Sequence, residues 1–135
     1  MARRRALPLA LALAGCVLLA PALHAQAPMD FEAAKAAADA DEASQDTAAR
    51  AAAMDRQRAF LDEAVAACAD VRSTAELRDF VVVVQLDAEG RVARTWRRGD
   101  SPLALCIERH ARGKVMFVPP RAPFHASLEV GFVPG

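Results

Sequence analysis

The residues of this chain with types and spacing suited to chemistry are its cysteines, its histidines and a run of arginines around one tryptophan. Cys68 and Cys106 each fall on the apolar stripe of a predicted helix. Cleavage of an export leader over residues 1–27, argued below, would leave Cys68 and Cys106 of the three cysteines, and in an exported chain an even count favours a disulfide. That bridge would staple the N-terminal helix to the helix that follows the hairpin. The alternative is two buried free thiols. A redox-active pair is disfavoured, because no Cys-x-x-Cys spacing is present to depress a thiol pKa. His110 lies one helical turn after Cys106, which could place two metal ligands on one face. A disulfide would consume that cysteine, and a core role for His110 is the simpler expectation. Ser101 reads as a helix cap rather than a nucleophile, and serine, histidine and acid occur in no arrangement suited to acyl transfer. Asp87 and Glu89 resemble paired carboxylates, but a hairpin loop accounts for both. No glycine-rich phosphate loop is present. The expectation is a non-enzymatic protein with no metal and no cofactor.

Arg94, Trp96, Arg97 and Arg98 are the candidate partner-binding residues. Arginine and tryptophan are enriched at binding hot spots, and an arginine cluster suits an anionic partner. The competing reading is a solvated edge with Trp96 as a core anchor. The chain has 17 basic and 17 acidic residues, so its overall charge names no partner, and nucleic acid is not expected.

The elements that must position these residues lie mostly in the last third. Phe80-Val81-Val82-Val83-Val84-Gln85-Leu86 is short, β-branched and nearly all apolar, which predicts a strand covered on most of both faces. Asp87-Ala88-Glu89-Gly90 predicts a hairpin turn with Gly90 at positive φ. Arg91 to Arg97 is the return strand. Ser101 and Pro102 predict a helix start, with Leu103, Cys106, Ile107 and His110 on its buried face and Gly113 just past its end. Lys114 to Val118 is a short apolar piece stopped by Pro119-Pro120. Phe124, Ala126, Leu128, Val130 and Phe132 then alternate with His125, Ser127, Glu129 and Gly131, which predicts a strand with one buried and one wet face.

The order strand, Asp87-Ala88-Glu89-Gly90-Arg91-Val92 turn, strand, helix with Cys106-Ile107, Phe117-Val118-Pro119-Pro120 and strand resembles the C-terminal domain of TonB-type energy transducers. The resemblance covers about Asp79 to Phe132. It implies a domain that recognises a short partner segment, in part by strand pairing at a sheet edge, with the final strand as the candidate edge. True transducers keep a membrane anchor and a long proline-rich spacer. Here the export segment reads as cleavable, with an uncleaved anchor as a further alternative, and the spacer is short and alanine-rich, so the resemblance does not imply full energy transduction.

Residues 1–27 carry Arg3, Arg4 and Arg5, an apolar run from Ala6 to Leu23, and Ala25-Gln26-Ala27. This predicts a secretory signal peptide and a periplasmic protein. Leu13-Ala14-Gly15-Cys16 also matches a lipobox, which makes Cys16 a candidate lipidation site and an outer-membrane lipoprotein the alternative. Residues 28–54 are alanine-rich and acidic, with almost no large apolar residue between Phe31 and Met54. They predict a mobile tether or a solvated helix. A helix from about Asp55 to Asp70 follows, with Met54, Leu61, Val65 and Cys68 on its buried stripe.

The expected fold is α+β over residues 55–135: an N-terminal helix, then β-β-α-β with a further short strand, in a small, mainly antiparallel sheet with a helix on one face. The expected function is binding of a protein or peptide partner in the cell envelope. The alternative is a periplasmic inhibitor or immunity-type protein that binds a partner enzyme. Membrane contact is expected only through the export signal or a lipid anchor.

Overall fold

The computed structural model describes residues 28–71 and 77–133. The signal-peptide and Cys16 expectations lie outside the described residues, as does most of the connector after Val71.

The element order is α1 (Phe31–Ala43), α2 (Thr47–Ala67), a 3-10 turn (Ala69–Val71), β1 (Phe80–Leu86), β2 (Val92–Arg98), α3 (Pro102–Ala111) and β3 (Phe124–Val130). Each helix starts on a side-chain cap. Asp30, Asp46 and Ser101 accept from the backbone N–H of Ala33, Ala49 and Ala104. Pro102 occupies the first position of α3, where no N–H is needed.

The three strands form one antiparallel sheet in the order β2-β1-β3. The β1–β2 turn is held by Asp87, whose carboxylate accepts from the N–H groups of Glu89 and Arg91. Gly90 has φ +82°, and a Cβ there would lie 2.2 Å from the Phe117 carbonyl oxygen. Backbone freedom and a close approach therefore both require glycine.

Register assigns every strand residue to a face, because side chains alternate. Val82, Val84, Leu86, Val92, Ala126 and Leu128 face α3 and α2, where they meet Leu103, Ile107, Phe60 and Cys68 in the main core. Val83, Trp96 and the β3 residues His125 and Ser127 face α1.

Several expectations are corrected. The fold class holds, but helices cover both faces of the sheet rather than one. The stretch expected as a tether or solvated helix forms α1 and the start of α2, and α1 lies on the sheet. Its contact surface is made of small residues: Ala34 and Ala38 are fully buried beside Val83. Alanines let a helix axis come close to a sheet without large side chains. α2 begins at Thr47, not Asp55. Met54, expected on the buried stripe, is 53% exposed. The buried positions are Ala53, Phe60 and Ala64, with Cys68 following, and Leu61 and Val65 pack at the margin. The wet face expected for β3 is buried at His125 and Ser127, because α1 covers it. The further strand near Val115 is only an isolated bridge from Arg91 to Val115.

Among the described residues, no helix is long and apolar enough to cross a membrane.

Candidate partner-binding edge

Cys68 and Cys106 lie together as expected. Their sulfurs are 2.08 Å apart with a Cα–Cα distance of 6.0 Å, the spacing of a disulfide. Cys68 caps α2 and is fully buried, so the bridge ties the end of α2 to the middle of α3. Among the described residues, no group of three or more histidines, cysteines and acids could hold a metal ion.

The two histidines among the described residues sit apart. The buried Nε2 of His110 is 3.5 Å from the Glu63 carboxylate, without hydrogen-bond geometry, and the ring leans on Phe60. His125 is the centre of a polar cluster under α1. Asp41 accepts from the His125 backbone N–H at 2.8 Å and lies 3.0 Å from its Nδ1. An ionised carboxylate only accepts, so Nδ1 carries the proton, and Nε2 is left to accept from the Gln85 amide 3.2 Å away. Arg121 also bonds to Asp41. An Asp–His pair is the usual core of acid–base chemistry, but here Nε2 meets an amide rather than a nucleophile. Ser101 Oγ caps α3. Ser127 Oγ is buried and makes no hydrogen bond. The cluster fastens α1 to the sheet.

Arg94, Trp96, Arg97 and Arg98 all lie on β2, but they do not form one patch. Strand alternation sends Arg94, Trp96 and Arg98 to the α1 face and Arg97 to the α3 face. Trp96 donates its indole N–H to the Met29 carbonyl at 2.8 Å and is half-buried against α1. Arg94 is exposed, its guanidinium 5.0 Å from the Trp96 ring. Arg98 pairs with Glu32 and lies 4.3 Å over the Phe31 ring.

On the other face Glu108 gathers three donors. Arg97 Nε reaches it at 2.9 Å, Thr95 Oγ1 at 3.0 Å and Arg112 at 3.2 Å. Burial pushes the Glu108 carboxyl up, but the bonds from Arg97, Thr95 and Arg112 outweigh that push and hold its pKa below the ordinary 4.5. A depressed folded-state pKa stabilises the fold above the unfolded value, and that stabilisation is lost as pH falls through the folded one. Glu108→Gln should therefore flatten the loss of stability below about pH 4.5. Urea unfolding from pH 7 to pH 3 measures this. An acid limb as steep as in the wild type would rule Glu108 out as a contributor.

The two sheet edges differ. In an antiparallel ladder a residue's N–H and C=O point to the same side. On β3 the outward residues are His125, Ser127 and Glu129. The N–H groups of the first two are already bonded to the carboxylates of Asp41 (2.8 Å) and Glu42 (3.0 Å), and Gln57 of α2 bonds Glu42 in turn. The α1–α2 corner thus fills this edge as a neighbouring strand would. On β2, Val92 exchanges bonds with Gly113 and Lys114. Beyond it, Thr95 and Arg97 point outward, and among the described residues no backbone group pairs with them. The final strand, expected as the open edge, is the occupied one.

Asp41, Glu42 and Gln85 were not singled out from sequence. A signal for the first two does exist. Both are acids in the last turn of α1, where the helix dipole disfavours negative charge. Acids in that position imply a partner outside the helix.

Comparison with protein-family models, with curated proteins and with solved structures gives no match.

Proposed function

We propose that this chain is a non-enzymatic exported protein that binds a protein or peptide partner in the cell envelope, and that it does so at the outer edge of β2. The observation that carries this reading is the contrast between the edges. β3 is closed by the Asp41 and Glu42 carboxylates, while the backbone of β2 at Thr95 and Arg97 is open. An exposed, unprotected strand edge is a template for an added strand. Folded proteins usually blunt such edges, so one left open along a rigid sheet is a docking feature. The paired cysteines and the leader expected for residues 1–27 support export to an oxidising compartment. The resemblance to TonB C-terminal domains supports the same mode of binding, with the edge moved from the last strand to the second.

A backbone test separates pairing from side-chain effects. Proline is tolerated on an edge strand where its missing N–H faced outward. Thr95→Pro removes the outward N–H, whereas Thr95→Val keeps it and, like the proline variant, loses the hydroxyl's bonds to Glu108 and Arg112. Partner capture from envelope extracts should fall at least about tenfold for Thr95→Pro, on the order of one to two hydrogen bonds, and persist for Thr95→Val. Equal capture by both folded variants would overturn the β2-edge reading.

A further inference from the structure

We infer that the segment received at β2 is an extended, acidic peptide that directs both acidic and apolar residues to each face of the sheet; this rests on the β2-edge reading above. The argument is one of charge complementarity at the edge itself. Five guanidiniums border it: Arg91, Arg94, Arg97, Arg98 and Arg112. Three carboxylates face them: Glu32 on Arg98, Glu108 shared by Arg97 and Arg112, and Asp87 at the Arg91 backbone N–H. The Arg91 guanidinium bonds only the Gly113 carbonyl, and among the described residues Arg94 has no carboxylate partner. The edge thus keeps two positive charges in excess.

Position favours a strand over a flat anionic surface. A strand added beside β2 sends its side chains alternately to the two faces of the sheet. On the α1 face they would meet Arg94 and the rim of Trp96. On the α3 face they would meet Arg97, Arg112 and Leu105. Leu105, Glu108 and Arg112 fall at i, i+3 and i+7 on one side of α3, and Glu108 anchors that side over β2 through Thr95 and Arg97. Leu105 is 42% exposed there and offers an apolar contact between the charges. A bilayer is a plane and reaches the arginines of one face only. A strand lying along the edge reaches both sets. Opposite charges placed across neighbouring strands each strengthen pairing by roughly 1.4- to fivefold, so the two surplus charges together give about a two- to thirtyfold preference for acid.

The test titrates the exported, disulfide-bonded protein with three end-capped synthetic peptides. All alternate pairs of valines with pairs of glutamates, serines or lysines, so that each face of the added strand carries both kinds of residue. The expected order is Glu tighter than Ser by about two- to thirtyfold, with Lys unbound. Added salt should weaken the Glu peptide alone, and Arg94→Glu, an exposed change that leaves the fold intact, should reduce its preference severalfold. Equal affinity for the Glu and Ser peptides, both lost in Thr95→Pro, would overturn the acidic preference and leave the edge reading standing. Glu-peptide binding unchanged in Thr95→Pro would overturn the edge reading and leave a charge effect alone. Binding to phosphatidylglycerol vesicles that depends on Arg94, with no peptide bound, would overturn the proposal in favour of a lipid surface.

Discussion

Breaking the Cys68–Cys106 bridge lowers the folding stability by about 4 kcal/mol in the loop-entropy account, since the cysteines are 38 positions apart in the chain. A domain of this size has a net stability of about 5–15 kcal/mol, so the bridge supplies a large share. It also joins two elements that otherwise meet along a thin seam. α2 presents mostly alanine, and only Phe60, Ala64 and Cys68 reach the main core from it as buried residues. The expected result is a large drop in the urea midpoint for the Cys68→Ser, Cys106→Ser double variant, and the same drop for the wild type under reductant. A loss below about 1 kcal/mol would mean that α2 is held by packing alone, contrary to this account.

Removing Asp41 is expected to have a comparable effect. Its carboxylate, with a side chain only 13% exposed, serves Arg121, the His125 ring and the His125 backbone N–H. Asp41→Ala leaves those donors without their acceptor in a largely dry site, which costs about 3–5 kcal/mol. Asp41→Asn keeps one acceptor and should cost less. The effect should be regional before it is global. α1 contributes few buried apolar atoms, so it should detach first while the disulfide-linked half stays folded. Amide exchange checks this: α1, His125 and Ser127 should lose protection in Asp41→Ala while β1 keeps it. Uniform loss of protection across the sheet would show that α1 is integral to the core rather than fastened onto it.

The legible parts of the fold are those written in local chemistry. β1 is visible as a β-branched run, the hairpin as Asp87 to Gly90, and α3 as Ser101-Pro102 followed by an apolar stripe. The cysteines were legible because each fell on such a stripe. α1 was not legible as a packed helix, because its contact with the sheet is two alanines and a set of acids whose partners lie far along the chain. Glu32 meets Arg98 across 66 positions and Asp41 meets His125 across 84. The same gap hid the second buried face of β3. It alternates apolar and polar as a half-wet strand does, and nothing near it announces that Asp41 and Glu42 arrive from α1. In α2 the stripe was read one position off. A step of one residue turns a helix by about a quarter-turn or slightly more, which is enough to expose Met54 and bury Phe60. The candidate binding residues were named from type alone. Their period along β2 already separated Arg97 from Trp96, but which charges remain in surplus depends on Glu32 and Glu108, which only the folded chain brings to them.

The central claim is that a partner strand lies along β2. The most direct measurement places a photoreactive residue at Ala93, exposed on β2, and separately at Glu129, exposed on β3, and irradiates the protein in intact cells that produce it. The account predicts a discrete adduct from position 93 whose linked peptide is extended and acidic, and none from position 129. An adduct from position 129 alone would put the partner on the edge that Asp41 and Glu42 close, and would contradict it.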